Sequence, residues 1–186
     1  MDDVYKNAVA ALRESLAEMK PGNRQYDSVV TAQDAVLARF QPMFNPERLA
    51  TLTADEFRSF LPVKNNRHWS GLQRMGSRLT RDMDALRRAL AVLLDEHRPL
   101  AARLDKAIET VDGMGTALAT AILLIAYPDQ YGVWNSTSEA ALRQLGVWPE
   151  PRRGMTTGEQ YENVNRLLLK LRDDVSTDLW TLDGLF

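Results

Sequence analysis

The stretch Ile108-Glu-Thr-Val-Asp-Gly-Met-Gly-Thr-Ala-Leu-Ala-Thr-Ala-Ile-Leu123 decides the fold around it, because two glycines bracket one apolar residue between two helical patterns. Gly113 and Gly115 can adopt positive φ and carry no side chain, so the amides that open the second helix can approach a ligand closely. Those amides are unpaired and lie at the positive end of the helix dipole. The stretch therefore predicts a helix, a tight turn and a second helix, with a phosphate as the ligand of the turn.

The same stretch resembles a helix-hairpin-helix motif. The matching positions are Ile108, Val111, Gly113, Met114, Gly115, Ala119, Ile122 and Leu123. In that family the hairpin holds the DNA backbone without reading bases. The resemblance implies DNA contact at Gly113, Met114, Gly115 and Thr116, and the alternative is a turn that only joins two helices.

The segment that follows, from Leu123 to Leu142, is similar to the matching segment of helix-hairpin-helix DNA glycosylases. In those enzymes a catalytic aspartate opens the helix after the hairpin, and some members use a lysine to attack the sugar. The aspartate position is Asn135 in this sequence, and the lysine position is Ala117. An amide provides hydrogen bonds without negative charge, and alanine is no nucleophile. The resemblance implies either hydrolysis of a glycosidic bond with Asn135 orienting water or the sugar, or a DNA-binding module of a repair or defence system that has lost the chemistry.

Asn135 also has a local structural interpretation. Asn135 or Ser136, followed by Glu139, has the pattern of a helix N-cap with a capping box. The nearest acidic residues, Asp112, Asp129 and Glu139, are not expected to replace the missing carboxylate, since Asp129 lies in a predicted turn and Glu139 has the capping role.

A second candidate region is the loop Pro62–Gly71. It contains Asn65, Asn66, Arg67, His68 and Trp69, a mixture of groups that can hold a displaced base by stacking and hydrogen bonding. The alternative is that Trp69 anchors the core and His68 packs or caps. Tyr131 and Trp134, which flank Asn135, are expected to form a wall of the hairpin's core.

The residues from Arg58 to Arg88 are markedly cationic. They include Arg58, Lys64, Arg67, Arg74, Arg78, Arg81, Arg87 and Arg88, against only Asp82 and Asp84. Arginine suits phosphate because its planar fork donates several hydrogen bonds. Arg74 and Arg78 are candidate phosphate contacts here, as are Arg152 and Arg153 in a later loop. The alternative is a solvated helix face with ion pairs.

Helical patterns cover the rest of the chain, and no alternating strand pattern of useful length is present. The predicted starts and spans are an N-cap at Asp2, a helix over Tyr26–Phe40, Pro46 opening a short helix, a capping box at Thr53, Thr80 opening a long helix, Pro99 opening the helix before the hairpin, a capping box at Thr156 leading to Leu171, and a turn over Thr177–Leu182. We expect an all-α orthogonal bundle of about eight to ten helices. Residues 1–186 are predicted to form a single domain, or two lobes with the hairpin at about 100–127.

Composition limits the chemistry. The 186 residues carry a net charge of −2, contain no cysteine and include only His68 and His97 as histidines. A disulfide, a zinc–thiolate site and an iron–sulfur cluster are therefore excluded, and we expect no metal and no cofactor. No apolar run is long enough for a membrane span, and the acidic start is unlike a secretory signal, which favours a cytoplasmic location. The expected partner is DNA. The remaining alternative is a helical domain that binds a protein partner of unknown identity.

Overall fold

The computed structural model describes residues 3–186, and these residues form an all-α protein without a β-strand. The predicted all-α, multi-helix fold class is confirmed, and the helix-hairpin-helix motif stays a prediction. The helices are α1 Asp3–Glu18, α2 Arg24–Ser28, α3 Gln33–Phe40, α4 Pro46–Leu49, α5 Ala54–Phe60, α6 Val63–Asn66, α7 Gly76–Leu79, α8 Met83–Leu93, α9 Leu100–Thr110, α10 Thr116–Ala126, α11 Ser136–Gln144, α12 Thr157–Val175 and α13 Leu179–Gly184. Short 3-10 segments cover Val30–Ala32, Gln41–Phe44 and Leu72–Met75. The helices in residues 3–186 outnumber the eight to ten predicted, because several are single turns. The predicted N-cap at Asp2 lies outside the described residues.

The helix predicted over Tyr26–Phe40 is interrupted. A 3-10 segment separates α2 from α3, and at this point the Trp180 Nε1–H donates to the backbone carbonyl of Val29 at 3.0 Å. The β-branched residues Val29, Val30 and Thr31 also have modest helix propensity. A long-range hydrogen bond to α13 therefore coincides with the weakest part of the predicted helix.

Helix α8 begins two residues later than Thr80 would place it. The N-cap is Asp82, whose side chain accepts a hydrogen bond from the Ala85 amide at 2.9 Å. Thr80 is buried instead at the end of α7, where its hydroxyl donates to the Gly76 carbonyl at 2.9 Å. By contrast, the capping boxes predicted at Thr53 and Thr156 are both present.

Helices α8, α9, α10 and α12 form the centre of the core. Helix α9 packs against α8 on one side and α12 on the other, and most of α10 is buried, with eight consecutive buried residues over 118–125. The end of α9 and the start of α10 are therefore held by core packing. No helix within residues 3–186 is both long and apolar enough to cross a membrane.

Two helices approach each other closely at Gly158, near the start of α12. A Cβ on Gly158 would be 2.1 Å from the carbonyl oxygen of Ala101 in α9. The Gly158 amide donates to Asp105 at 2.7 Å, and the Ala101 amide donates to Glu162 at 3.0 Å. A carboxylate of α9 accepts from a backbone amide of α12, and a carboxylate of α12 accepts from a backbone amide of α9. Both bonds form where Gly158 allows the two backbones to touch.

Gly158→Ala should destabilise the protein by about 3 kcal/mol or more, because the added methyl group meets backbone and cannot be relieved by a rotamer change. Urea unfolding measures the effect. Thr157→Ala, an exposed neighbour in the same turn, is the matched control and should change stability by well under half of that amount. Equal stability of the two variants would contradict this account of the α9–α12 contact.

Candidate nucleic-acid interface and cavity

The turn between α9 and α10 has the conformation that the sequence predicts at one of its two glycines. Gly113 has φ of +92°, and the Met114 amide donates to the Val111 carbonyl at 3.0 Å to close the turn. Gly115 is extended, with φ of −99° and ψ of 175°, a conformation that any residue adopts. Only Gly113 is therefore required for its backbone conformation.

Gly115 is the open part of this turn. It is exposed, and a Cβ built on it would meet nothing within 4 Å. It is also the N-cap of α10 and supplies no side-chain acceptor. Among the described residues, no group accepts a hydrogen bond from the amides of Thr116 or Ala117. Other helices of the chain, including α5, α8, α11, α12 and α13, have a side-chain cap at this position. Helix α10 presents its first amides to solvent instead.

Two of the predicted DNA contacts are covered by neighbouring side chains. The Met114 side chain is 2% exposed and belongs to the core. At Gly113, an added Cβ would lie 2.7 Å from Met75 Cε and 3.3 Å from Arg78 Cδ. Of the four predicted contacts, Gly115 is therefore the exposed one, Gly113 and Thr116 are half-buried, and Met114 has a structural role.

Arg78 is paired beside this turn. Its guanidinium donates two hydrogen bonds to the carboxylate of Asp112, and these bonds hold the pKa of Asp112 below its ordinary value. The two charges largely neutralise each other, so Arg78 orders the turn more than it attracts an anion. Arg74 and Arg81 are exposed on the same segment, and neither has an ion-pair partner among residues 3–186. Arg74 is therefore a free cation, whereas the charge of Arg81 also acts on the Asp112 carboxylate in the turn.

Arg152 and Arg153 lie elsewhere. They line a depression together with Glu159 and Glu162, immediately before the start of α12. That start packs against Ala101, at the beginning of α9, whereas the turn lies at the end of the same helix. Eleven residues of helix separate the two places by about 16 Å. The structure does not bring these arginines to the turn between α9 and α10.

A cavity of about 310 Å³ lies beside the open start of α10. Ala117 of α10, Asn135 at the start of α11, the His68–Trp69 pair and Asp183 of α13 all line it. Ser70, Leu72, Ser136, Thr137, Val29, Gly184 and Phe186 complete the lining. The cavity therefore joins the two positions that the glycosylase resemblance assigns to its catalytic residues with two members of the predicted base-binding loop.

Asn135 is the N-cap of α11, as predicted. Its side-chain oxygen accepts hydrogen bonds from the amides of Thr137 at 2.8 Å and Ser138 at 2.9 Å. The reciprocal capping-box partner is Ser138 rather than Glu139, because Glu139 bonds to Trp134 Nε1 and to Arg143. The Asn135 oxygen is thus fully used by the cap. Its Nδ2 has no hydrogen-bond partner among residues 3–186 and is the group that remains for a ligand.

The prediction for Asn66 is wrong. It is fully buried, and its amide nitrogen donates to the carbonyls of Phe60, Leu61 and Trp69. Its oxygen accepts from the amides of His68 and Trp69, so no group is left for a base. Asn66 instead fixes the backbone of the loop.

The two residues beside Asn66 also lie outside the cavity lining. Asn65 donates to the Ser59 carbonyl at 2.7 Å, and Arg67 is the exposed C-cap of α6 with φ of +63°. Tyr131 is buried, as expected, and packs under the Arg103 guanidinium of α9. The Trp134 amide donates to the Thr120 hydroxyl of α10 at 3.0 Å, and this hydrogen bond links the segment before α11 to α10.

His68 and Trp69 form one unit with Asp183. Their rings stack with centroids 4.9 Å apart and planes 4° apart. Trp69 Nε1 donates to Asp183 Oδ2 at 2.9 Å, and His68 Nε2 lies 3.5 Å from the same oxygen and 3.1 Å from the Trp180 carbonyl. Burial raises the pKa of the Asp183 carboxyl, while the charge of His68 and the bond from Trp69 act in the opposite direction. The sequence gives no sign of this role for Asp183, because it lies far from Asn135 in the chain and reaches the cavity only through the packing of α13.

The fold and the cavity define an all-α protein with a buried carboxylate facing the starts of two helices. Comparison with known proteins found no matching family model, curated protein or solved structure. Within residues 3–186, no group of three or more histidine, cysteine, aspartate or glutamate side chains is placed to hold a metal ion.

The raised pKa of Asp183 has a consequence for stability. Its protonated form is favoured by folding, so its stabilising contribution is complete below the ordinary aspartate pKa and is lost as pH rises through the folded-state value. Asp183→Asn removes this charge and keeps an oxygen for Trp69. We therefore expect the stability of Asp183→Asn relative to the parent protein to rise between pH 4 and pH 7. Urea unfolding at several pH values measures it, with the exposed Asp34→Asn as control. A relative stability that falls over this range would show that His68 stabilises the charge instead.

Proposed function

We propose that this protein binds DNA through the turn at residues 111–116 and receives one displaced nucleotide in the adjacent cavity. The observation that supports this most strongly is the composition of the cavity wall. Asn135 and the His68–Trp69 pair were singled out separately in the sequence, and both line one cavity next to the open start of α10. A backbone site and a nucleotide-sized pocket therefore lie side by side.

The open start of α10 is suited to a backbone phosphate. The free amides of Thr116 and Ala117 and the dipole of an 11-residue helix both favour an anion. Gly115 leaves space for close approach, since nothing lies within 4 Å of the position that a Cβ would take there. Arg74 and Arg81 add positive charge on the neighbouring segment. The overall charge of −2 is no obstacle, because local charge governs the contact.

The cavity is suited to a base or its sugar. Its volume of about 310 Å³ is at the lower end of the range for small-ligand sites. Its wall includes the exposed margins of His68 and Trp69, which stack on each other and are each only 6% exposed, together with the polar groups of Asn135, Thr137 and Asp183. Enzymes and readers that take a base out of the duplex use this combination of aromatic surface and hydrogen-bonding groups.

A second candidate function is hydrolysis of an N-glycosidic bond, which the glycosylase resemblance favours. The free Nδ2 of Asn135 is the group that could orient a water molecule or the sugar there, although Asn135 supplies no negative charge. Binding without hydrolysis is favoured by the capping bonds of Asn135, because its oxygen cannot accept a proton or a further hydrogen bond from water while it caps α11.

Gly115→Asp should abolish phosphate binding without harming the fold. The extended backbone at this position accepts any residue, and an aspartate N-cap would accept hydrogen bonds from the same amides that a phosphate uses. We expect unchanged stability or a gain of up to about 1 kcal/mol, together with at least a tenfold loss of affinity for duplex DNA. Fluorescence anisotropy with a labelled duplex and urea unfolding measure the two effects.

Gln144→Glu, an exposed change of equal charge at the end of α11, is the control and should bind DNA normally. The affinity of the parent protein must also fall as salt rises, because phosphate binding releases counterions. Failure of the parent protein to bind DNA, or binding that ignores salt, would overturn the proposal and favour a protein-interaction domain. Alkali-labile sites in the bound DNA would distinguish hydrolysis from binding alone.

The two groups of arginines should differ in their effect on DNA binding. Arg74→Ala removes a free cation near the turn, so the slope of log affinity against log salt should become shallower by about 0.9. The double variant Arg152→Ala with Arg153→Ala removes two cations near the other end of α9 and should leave the slope unchanged. The reverse result would place the DNA backbone across the loop before α12.

A further inference from the structure

We propose that Asp183 selects what enters the cavity, by accepting a hydrogen bond from the amino group of a displaced adenine or cytosine. This inference rests on the proposed DNA-binding function and adds the class of base that the site takes. It concerns a residue outside the hairpin and outside the segment that resembles glycosylases.

The first argument is the unfilled hydrogen-bonding capacity of Asp183. Its side chain is 6% exposed, and Oδ2 is occupied by Trp69 Nε1. Oδ1 makes no hydrogen bond to any residue in the described part of the chain, although Asp183 lines the cavity. Oδ1 is not among the fully buried side-chain atoms that lack a partner, so it opens into the cavity and accepts its hydrogen bond from whatever occupies that space. The cavity is the place from which a donor can come.

The second argument is that this acceptor is held rigidly. Trp69 fixes Oδ2, the ring of His68 stacks on Trp69, and His68 Nε2 donates to the Trp180 carbonyl in the same helix as Asp183. Asn66 in turn fixes the backbone amides of His68 and Trp69. An acceptor that is held in place before the ligand arrives loses little conformational freedom on binding, which favours selectivity.

The third argument is the chemistry of a DNA strand. Phosphate offers only acceptors and would be repelled by the carboxylate, and the sugar oxygens inside a strand are esterified or in the ring. Only the base carries N–H donors, so the base must be the part that faces Asp183. The same cavity also offers a donor, the free Nδ2 of Asn135. The ligand edge therefore needs a donor and an acceptor.

Adenine and cytosine fit this pattern best, because each presents an amino group beside an unprotonated ring nitrogen. Guanine has two adjacent donors, of which one free carboxylate oxygen can satisfy only one. The single N–H of thymine lies between two carbonyl oxygens, which brings an acceptor close to the carboxylate. The available groups of Asp183 and Asn135 thus favour the amino-bearing bases.

The test compares each base with an analogue that lacks only the amino group. A duplex carries one nucleotide opposite an abasic-site analogue, so that the base is already unpaired. The nucleotide is adenine or purine in one pair of duplexes, and cytosine or 2-pyrimidinone in the other. For at least one pair, the parent protein should bind the amino-bearing base about tenfold more tightly than its analogue.

Asp183→Asn is the decisive variant. The asparagine oxygen can keep the hydrogen bond from Trp69 Nε1, which places an amide N–H₂ where Oδ1 was. The preference for the amino-bearing base should therefore disappear or reverse. The indole N–H resonance of Trp69 in an NMR spectrum checks that this hydrogen bond persists, and Asp34→Asn controls for the loss of one negative charge.

Failure of the inference is distinguishable from failure of the proposed function. If the parent protein binds DNA in a salt-dependent manner but binds each base and its analogue equally, the selecting role of Asp183 is overturned and DNA binding stands. The same conclusion follows if Asp183→Asn retains the full preference. If the parent protein binds no DNA, both the function and the inference are overturned.

Discussion

The hydrogen bond from Trp69 Nε1 to Asp183 Oδ2 is the contact on which the cavity depends. It joins two segments that are 114 residues apart in the chain and fixes the carboxylate against the His68–Trp69 stack. Within residues 3–186, the loop Pro62–Gly71 also reaches α13 through His68, which contacts the Trp180 carbonyl and the Asp183 carboxylate. Without the bond from Trp69, however, the carboxylate would lose the donor that fixes its orientation. The geometry of the site therefore depends on this tertiary contact as well as on the turn between α9 and α10.

Most of the fold could be predicted because its helices are specified locally. The capping boxes at Thr53 and Thr156 lie within four residues of chain, and each is present in the structure. The interruption at Val29 could not be predicted in the same way, since its carbonyl accepts from Trp180, far away in the sequence. Helix boundaries fixed by a local cap are visible in the sequence, whereas a break associated with a long-range donor is not.

The site was predictable to a similar degree and for the same reason. Asn135 was identified from a local pattern, and its cap is present. Asn66 was misread because a polar residue in a polar loop gives no sign that backbone groups occupy every one of its hydrogen-bonding positions. Asp183 could not be predicted from a local pattern, because the packing of α13 brings it to the cavity that Asn135 also lines. Asn66 has all its hydrogen-bonding positions occupied, whereas Asp183 keeps one oxygen open to the cavity. Neither property can be derived from the local sequence.

The two parts of the proposed interface, the start of α10 and the cavity, favour ligand groups of different charge. The free amides at Thr116 and Ala117 favour an anion at the surface, and the carboxylate of Asp183 disfavours one inside the cavity. An isolated phosphate would be attracted to the turn and excluded from the pocket beside it. A nucleotide within a strand satisfies both demands at once, because its phosphate can remain on the amides while its uncharged base turns inward. In the proposed complex, this division of charge lets a protein of net charge −2 hold a negatively charged polymer at one short turn.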